Sequence, residues 1–281
     1  MSKVRLKRSQ MITIVKFPII LIVLFFVLFP FFYLVVTSIR PAGEFLENTN
    51  ILPRSFTLDH YREVFDGQKG LLYLKNSLVV TGTVVLISIV VGTMAGYALV
   101  RSRFRQSIVL TIIFILIFIR FYPRISIVVP WFLIMNRLHL LDTVWAVIIL
   151  HLGLTIPFVV WLMYTFFKGV PMELEECASI DGAGFMRRFI SIVLPLSLPG
   201  IASASIFTAF LSWNEFLLSS AVTRESAKTL PVVIAGYITD KGVVWGPMMA
   251  MSTLIVLPMI LFALFLQKYL IRGMMMGAVK E

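Results

Sequence analysis

The chain has 281 residues and a net charge of +11, and 59% of its residues are hydrophobic whereas only 14% are charged. A soluble domain contains roughly 25% charged residues, so this composition excludes a soluble globular protein and predicts a polytopic membrane protein of the all-α class. The single cysteine, Cys177, excludes an internal disulfide, and no cluster of cysteine and histidine has the spacing of a metal site.

The positive charge lies in short clusters beside apolar runs, a distribution typical of membrane topology and not of nucleic-acid binding. The first cluster precedes an apolar run over 17–39, which no small-residue cleavage site follows. We therefore expect a basic cytoplasmic N-terminus over 1–16 and an uncleaved first span. The basic residues of this N-terminus are Lys3, Arg5, Lys7, Arg8 and Lys16.

With the first run, five further apolar runs predict six transmembrane helices in one domain over 17–270. Each run exceeds the ~20 residues that a helix needs to cross a bilayer. Both termini are then cytoplasmic, with a tail over 271–281, and the outside loop over 40–75 is expected to hold one or two short helices. Lys and Arg are concentrated in the segments placed inside, as the positive-inside rule requires. The five further runs cover 76–100, 108–136, 144–167, 199–221 and 246–268.

A polar stretch over 168–198 separates the fourth and fifth runs. Pro171 suits the first position of a helix, where its missing N–H costs nothing, and acidic residues follow in the first turns, where they complement the helix dipole. Asp181-Gly182 favours a turn, and Gly182 can adopt the left-handed conformation that ends a helix. We predict a short helix to about Ile180, a turn and a second amphipathic segment, together forming a hairpin outside the bilayer. The first segment carries Glu173, Glu175 and Glu176, and the second opens with Arg187 and Arg188.

The spacing within this hairpin resembles the EAA loop of ABC-importer permeases. The pattern is Glu176-Cys177-Ala178, three residues, Gly182, nine residues, Ile192, one residue and Leu194-Pro195. Cys177 stands where the family usually has alanine, which is a small apolar exchange. The competing interpretation is an ordinary cytoplasmic loop between two membrane helices.

Further short motifs resemble the carbohydrate-uptake permeases, specifically the smaller partner of the maltose-type pair. Each motif is weak alone, but their order and spacing are specific, and the resemblance extends from about residue 17 to the end of the chain. The motifs are Thr37-Ser38-Ile39-Arg40-Pro41, Asn76-Ser77, Leu140-Leu141-Asp142-Thr143, Trp213-Asn214-Glu215-Phe216, Thr229-Leu230-Pro231, and Arg272-Gly273 with Gly277-Ala278-Val279-Lys280.

This resemblance implies a type I ABC-importer permease in a bacterial or archaeal cytoplasmic membrane. In such importers two permease subunits, here as a heterodimer, form the pathway. Two ATPase subunits dock on the EAA loops, and an extracytoplasmic binding protein delivers a sugar or oligosaccharide. The chain has no G-x-x-x-x-G-K-[ST] phosphate-binding loop, so we expect no enzymatic activity and no cofactor of its own, with ATP and Mg²⁺ held by the partner ATPase. The implied ATPase-coupling residues are Glu173, Glu176, Cys177, Ala178, Asp181, Gly182, Ala183, Arg187, Ile192, Leu194 and Pro195.

A secondary transporter of a small polar solute is the alternative function. Such a transporter predicts an inverted repeat and an intramembrane ion site, and neither is visible in the sequence. It would also have no use for the hairpin over 168–198.

Three charged residues, Arg120, Arg124 and Glu215, fall inside predicted spans, where charges are costly and usually face a bundle interior or an aqueous cavity. Arg120 and Arg124 are four residues apart, which predicts one helical face, and the helical rise places Arg120 and Glu215 at similar depth. Two interpretations stay open. Glu215 forms an ion pair with one arginine, or all three line the solute pathway with Asn214. In the second case the arginines suit a carboxylate or phosphate on an anionic saccharide such as a uronate oligomer, and Trp213 is a candidate for stacking on a sugar.

Overall fold

The computed structural model describes residues 8–47, 50–67 and 69–278. Lys3, Arg5, Lys7 and Lys280 lie outside the described residues. The chain divides into two compact units, Met1–Gly70 with Tyr237–Leu254, and Leu71–Gly236 with Ile255–Glu281.

Within the described residues, four continuous helices are long and apolar enough to cross a membrane. Three of them extend beyond the apolar runs that predicted them, because an apolar run marks only the part of a helix that lies in hydrocarbon. The first helix begins at Arg8 and not near 17, the second begins at Gly70 and not near 76, and the last continues through the predicted tail to Ala278. The four helices are α1 (Arg8–Ser38), α4 (Gly70–Val100), α7 (Val144–Phe167) and α14 (Trp245–Ala278), the last of which follows the short helix α13 (Leu230–Ala235).

The predicted third span is a bent pair of helices. α5 (Gln106–Phe121) and α6 (Arg124–Arg137) meet at 92°. Pro123 explains the break, because proline lacks an N–H and disfavours helical backbone in the residue before it; Tyr122 is accordingly extended, with ψ of 134°.

The predicted fifth span also belongs to a bent pair, since Phe185–Leu196 and Leu198–Trp213 meet at 75° around Ser197. Leu198–Trp213 is α11, and α12 (Leu217–Val222) follows after a short break. If each bent pair counts as one span, the described residues hold the six candidate spans that the sequence predicts.

The second unit is built around α7, which packs against α5, α11 and α12. Glycines let α4 approach α7 closely. A Cβ on Gly92 would lie 2.5 Å from a methyl carbon of Val159, and one on Gly96 would lie 2.9 Å from the backbone nitrogen of Tyr164. Glycines four residues apart on one helix face permit this close backbone contact between membrane helices.

The first unit contains the short elements of the predicted outside loop. They are α2 (Glu44–Glu47), α3 (Asp59–Arg62) and a π-helical turn over Glu63–Gly67, which confirms the expectation of short helices there. The described residues contain one small sheet, in which β1 (Ile238–Thr239) pairs antiparallel with β2 (Gly242–Val243). Strands of two residues have no periodicity to read in a sequence, so the all-α prediction omitted them.

Candidate functional site

The first arm of the predicted hairpin is α8 (Glu173–Ile180). Gly182 has φ of +82°, and the Ala183 N–H donates to the carbonyl of Ala178 at 2.9 Å, so the left-handed turn ends the helix as predicted. Pro171 lies two residues before the helix and not at its first position, because the first amides to bond within the helix, those of Glu175 and Glu176, reach back to the carbonyl of Met172.

The second arm is continuous with the bent fifth span and anchors the hairpin on the bundle. It consists of α9 (Phe185–Arg188), a π-helical turn over Phe189–Val193 and α10 (Leu194–Leu196). Two side chains of the π turn, Phe189 and Val193, are buried in a core cluster with Tyr97 of α4. The ring centroids of Tyr97 and Phe189 are 4.8 Å apart.

Glu175 joins the hairpin to the end of α4. The Tyr97 hydroxyl donates to one carboxylate oxygen at 2.6 Å. Arg101 donates to the other through Nε at 2.7 Å, and its terminal nitrogen lies 2.6 Å from that oxygen. Only 4% of Glu175 is exposed. A buried carboxylate with this many charge-assisted hydrogen bonds fixes the position of the helix that carries it.

The sequence did not single out Glu175, which was one of three acidic residues at the start of a helix. The sequence did contain a clue to this ion pair. Arg101 is the first basic residue after the predicted second span, and the hairpin begins directly after the predicted fourth span. Both lie at the same end of the bundle, so Arg101 was available to pair with an acidic residue of the hairpin.

The other hairpin residues form a surface that this chain leaves open. Most of the predicted coupling residues are exposed, and Ala178, Ala183, Ile192 and Leu194 are half-buried. Large apolar side chains are exposed among them, and Ile180 at the tip of α8 is 87% exposed. Apolar side chains rimmed by polar residues mark protein interaction sites. The exposed coupling residues are Glu173, Glu176, Cys177, Asp181, Gly182, Arg187 and Pro195.

Glu215 pairs with His151 and not with an arginine, which contradicts the first of the two interpretations that the sequence left open. The Nε2 of His151 lies 3.3 Å from a Glu215 carboxylate oxygen, and only 3% of Glu215 is exposed. The carboxylate also accepts the backbone N–H groups of Leu218 and Ser219 at 2.9 and 3.0 Å. The depth argument assumed one straight helix over 199–221, whereas the helix breaks after Trp213, and Glu215 satisfies the free amides at the start of α12.

His151 is the centre of this buried network. Its two ring nitrogens lie 2.9 Å from the hydroxyls of Ser212 and Ser219. The network therefore ties α7 to both sides of the break between α11 and α12. This burial and bonding favour a structural role for Glu215 over a place on the solute pathway.

Trp213 and Asn214, which precede Glu215 in its motif, differ in burial. Only 3% of Trp213 is exposed and its Nε1 donates to the carbonyl of Ile255 at 3.2 Å, so the indole has no face free to stack on a sugar. Asn214 is exposed, although its amide nitrogen donates to the carbonyl of Phe210. Of the pathway candidates in this motif, only Asn214 is open to a solute.

Arg120 and Arg124 do not share a helical face, since Arg120 lies in the last turn of α5 and Arg124 begins α6. Both side chains are nevertheless exposed and line one shallow pocket. Pro123, which breaks the helix, is the reason why the spacing failed to predict the face.

Three of the short motifs are in contact around Asp142: Leu140-Leu141-Asp142-Thr143, Asn76-Ser77 and Thr229-Leu230-Pro231. The Asp142 carboxylate accepts four consecutive backbone N–H groups, from Arg224 to Ala227, at 2.9–3.1 Å. Asn76 donates to the carbonyls of Ser226 and Lys228, and the Ser77 hydroxyl accepts the N–H of Leu230. These side chains hold the loop over 223–229 to the ends of α4 and α7.

Asp142→Asn should destabilise the chain by about 1.5 kcal/mol, because an amide cannot accept four N–H donors with a full charge. Partial burial opposes ionisation of the wild-type carboxyl, but the four N–H donors outweigh it and lower the pKa of Asp142 to about 2 from 3.8. A depressed pKa contributes stability above the unfolded value that is lost as pH falls through the folded value. Wild-type thermal stability should therefore decline between about pH 4 and pH 2, and Asp142→Asn should flatten that decline.

Tryptophan fluorescence during heating in detergent, at a series of pH values, measures both effects. Asp240→Asn is the matched control, since Asp240 is exposed. Identical pH profiles for wild type and Asp142→Asn would contradict the role given to this carboxylate.

Comparison with known proteins shows the family to which the chain is related. Residues 88–276 match the family described as binding-protein-dependent transport system inner membrane component. The chain is 36% identical to a probable ABC transporter permease, y4oR of Sinorhizobium fredii, over 91% of both chains. It is 31% identical to the trehalose/maltose transport system permease protein MalG of Thermococcus litoralis, over 90% of this chain and 91% of that one.

A solved structure has the same fold. It is the crystal structure of a bacterial ABC transporter involved in the import of the acidic polysaccharide alginate, and the superposition has a TM-score of 0.78. The match covers 95% of this chain and 100% of that one at 23% identity.

Proposed function

This chain belongs to the family of inner membrane components of binding-protein-dependent transport systems, and from that premise we propose that it is one of two permease subunits of an ATP-driven importer of a sugar or oligosaccharide. Members of this family work with an ATPase and a substrate-binding protein. A secondary transporter does not account for the family match. The carbohydrate class rests on relatives such as MalG of Thermococcus litoralis, whose name specifies trehalose and maltose.

The hairpin is the observation that carries the proposal. It presents exposed charged and apolar side chains at the tip of α8, and Glu175 and Phe189 fix its base to the bundle. An element that is rigid at its base and open at its tip suits the transfer of motion from a second protein. We therefore assign ATPase docking to the exposed coupling residues of the hairpin, with Ala178 and Gly182 at the centre of the contact.

The remaining assignments follow from that docking. We propose that ATP and Mg²⁺ bind the partner ATPase, that this chain catalyses no reaction, and that its other half of the pathway is a related permease in a heterodimer. The hairpin and both termini then lie in the cytoplasm, and 17–270 form one permease domain.

Gly182→Val should detach or uncouple the ATPase more strongly than Gly182→Asn. A Cβ on Gly182 would meet nothing within 4 Å, so the two variants differ mainly in backbone preference. Asparagine tolerates the left-handed conformation, whereas for a β-branched residue it is strained. We expect at least a roughly tenfold loss of coupled transport for the valine variant, corresponding to about 1.4 kcal/mol or more.

Co-expression with the neighbouring genes, purification in detergent and assay of ATPase activity measure this effect. The chain with Glu176→Ala and Gly182→Asp together serves as a second disrupted hairpin. If no ATPase co-purifies with the wild type, the proposed function fails; if it co-purifies equally with all variants and transport is normal, the hairpin is not the coupling element.

A further inference from the structure

The pocket between α5, α6, α7 and α11 has two cationic side chains and an otherwise apolar lining. Arg120 and Arg124 supply the charge, and the walls of the pocket are Ile119, Gly153, Leu154, Pro157 and Leu211. No acidic residue lines it among the described residues of the chain. The 92° bend at Pro123 is what brings the end of α5 and the start of α6 to one opening.

Arg120 is held in place without an ion pair. Its guanidinium carbon lies 4.2 Å from the ring centroid of Phe158, a cation–π contact that orients the planar group and leaves its N–H donors free to point elsewhere. Glu215, the acidic residue predicted at this depth, is buried and bonded to His151. Within the part of the chain that the structure describes, no carboxylate is paired with Arg120 or Arg124.

Two unpaired guanidinium groups in an apolar helix bundle are costly unless they face water, a partner or an anion. Arg120 is about 20 Å along α5 from its first residue, well inside the ~30 Å of a hydrocarbon core. If α5 begins at the cytoplasmic side, as proposed, the Arg120 side chain is too deep to reach the cytoplasmic surface. An aqueous pathway through the assembled importer, with an anion in it, would satisfy both arginines.

We propose that Arg120 and Arg124 bind an anionic group of the transported solute, a carboxylate on an acidic saccharide. This inference rests on the proposed function, and it narrows the substrate class from sugars in general to sugars that carry uronate-type acid groups. Guanidinium groups bind carboxylates through two parallel hydrogen bonds, and both arginines line one opening together with apolar side chains of α7 and α11. The apolar wall of Leu154, Pro157 and Leu211 suits the nonpolar face of such a ring.

Two other anions have the same chemistry and become outcomes of the test. A lipid phosphate would satisfy the arginines independently of the solute, and an acidic side chain of the second permease would do so in every state of the solute. With either occupant, substitution of the arginines would affect the uptake of acidic and neutral sugars equally.

The experiment uses the complete importer with its ATPase and binding protein in vesicles of phosphatidylcholine, and again in vesicles that also contain phosphatidylglycerol. The probes are matched pairs of acidic and neutral disaccharides of the same linkage, first tested for binding to the binding protein by thermal shift and then for ATP-driven uptake. Arg120→Gln with Arg124→Gln is the test variant. Arg137→Gln is the matched control, since Arg137 is exposed at the far end of α6.

We expect the wild type to import an acidic disaccharide, and the double variant to lose that uptake by roughly tenfold or more, while Arg137→Gln retains it. Unchanged assembly with the ATPase shows that the variant is folded. The inference is overturned if only neutral sugars are bound and transported, if the double variant imports the acidic sugar normally, or if its defect is the same for neutral sugars or depends on phosphatidylglycerol. All of these outcomes leave the importer function intact, whereas a failure of the wild type to assemble with an ATPase overturns that function itself.

Discussion

Glu175→Ala is expected to disconnect the coupling hairpin and to abolish ATP-driven transport. The substitution leaves the Arg101 guanidinium and the Tyr97 hydroxyl without their shared acceptor in a buried site. Removing one partner of a buried ion pair costs about 3–5 kcal/mol, because the remaining charge is left uncompensated. The hairpin then loses its fixed position relative to α4, and closure of the ATPase no longer moves the bundle.

The measurement is solute uptake and ATPase activity of the complete importer in vesicles. Asp240→Ala is the control, because Asp240 is an exposed acidic residue outside the hairpin. We expect Glu175→Ala to lose uptake by at least a hundredfold, equivalent to about 2.7 kcal/mol, and Asp240→Ala to reduce it far less.

A double substitution makes this prediction sharper. Glu175→Met with Arg101→Met removes both charges, and replacing a whole buried pair by apolar residues is often neutral. The double variant should therefore be more stable in thermal unfolding than either single variant, with a coupling energy of about 0.5–3 kcal/mol. Additive effects of the two single substitutions would show that the contact does not fix the hairpin.

Glu215→Ala is expected to destabilise the second unit and to reduce transport only as a consequence. The substitution removes the partner of His151 and the acceptor for two N–H groups at the start of α12. Leaving a buried N–H group without an acceptor costs about 1–3 kcal/mol. The variant should assemble poorly with the other subunits, and the protein that does assemble should show a lowered unfolding temperature.

Asn214→Ala is the comparison variant that distinguishes a loss of stability from a loss of transport. Asn214 is the exposed neighbour of Glu215, so its substitution should leave the unfolding temperature nearly unchanged. Thermal unfolding in detergent and uptake in vesicles are measured side by side for both variants. If Glu215→Ala unfolds like the wild type yet fails to transport, the carboxylate belongs to the solute pathway and the structural assignment is wrong.

The sequence predicted the helices and the hairpin well because both have local causes. Apolar runs of sufficient length specify spans, and Gly182 specifies its turn through its own backbone freedom. The motif around Asp142 was also visible, although its role was not, because the four amides that it accepts lie about 80 residues further along the chain.

The charged residues in the spans were predicted less well, since their partners depend on where helices break. The depth and face of Arg120, Arg124 and Glu215 were calculated for straight helices. Pro123 interrupts one of these helices, and the other ends at Trp213. A break of two or three residues changes which side chains meet, and His151 is the partner of the acid.

The close contact of α4 with α7 has a mechanical consequence for the whole subunit. Gly92 and Gly96 bring the two helix backbones together, and Tyr97, directly after Gly96, bonds to Glu175 of the hairpin. These contacts link the hairpin, α4 and α7 without an intervening loop. We therefore expect a displacement of α8 to move α4 and α7 together, whereas the break at Pro123 separates α5 from α6.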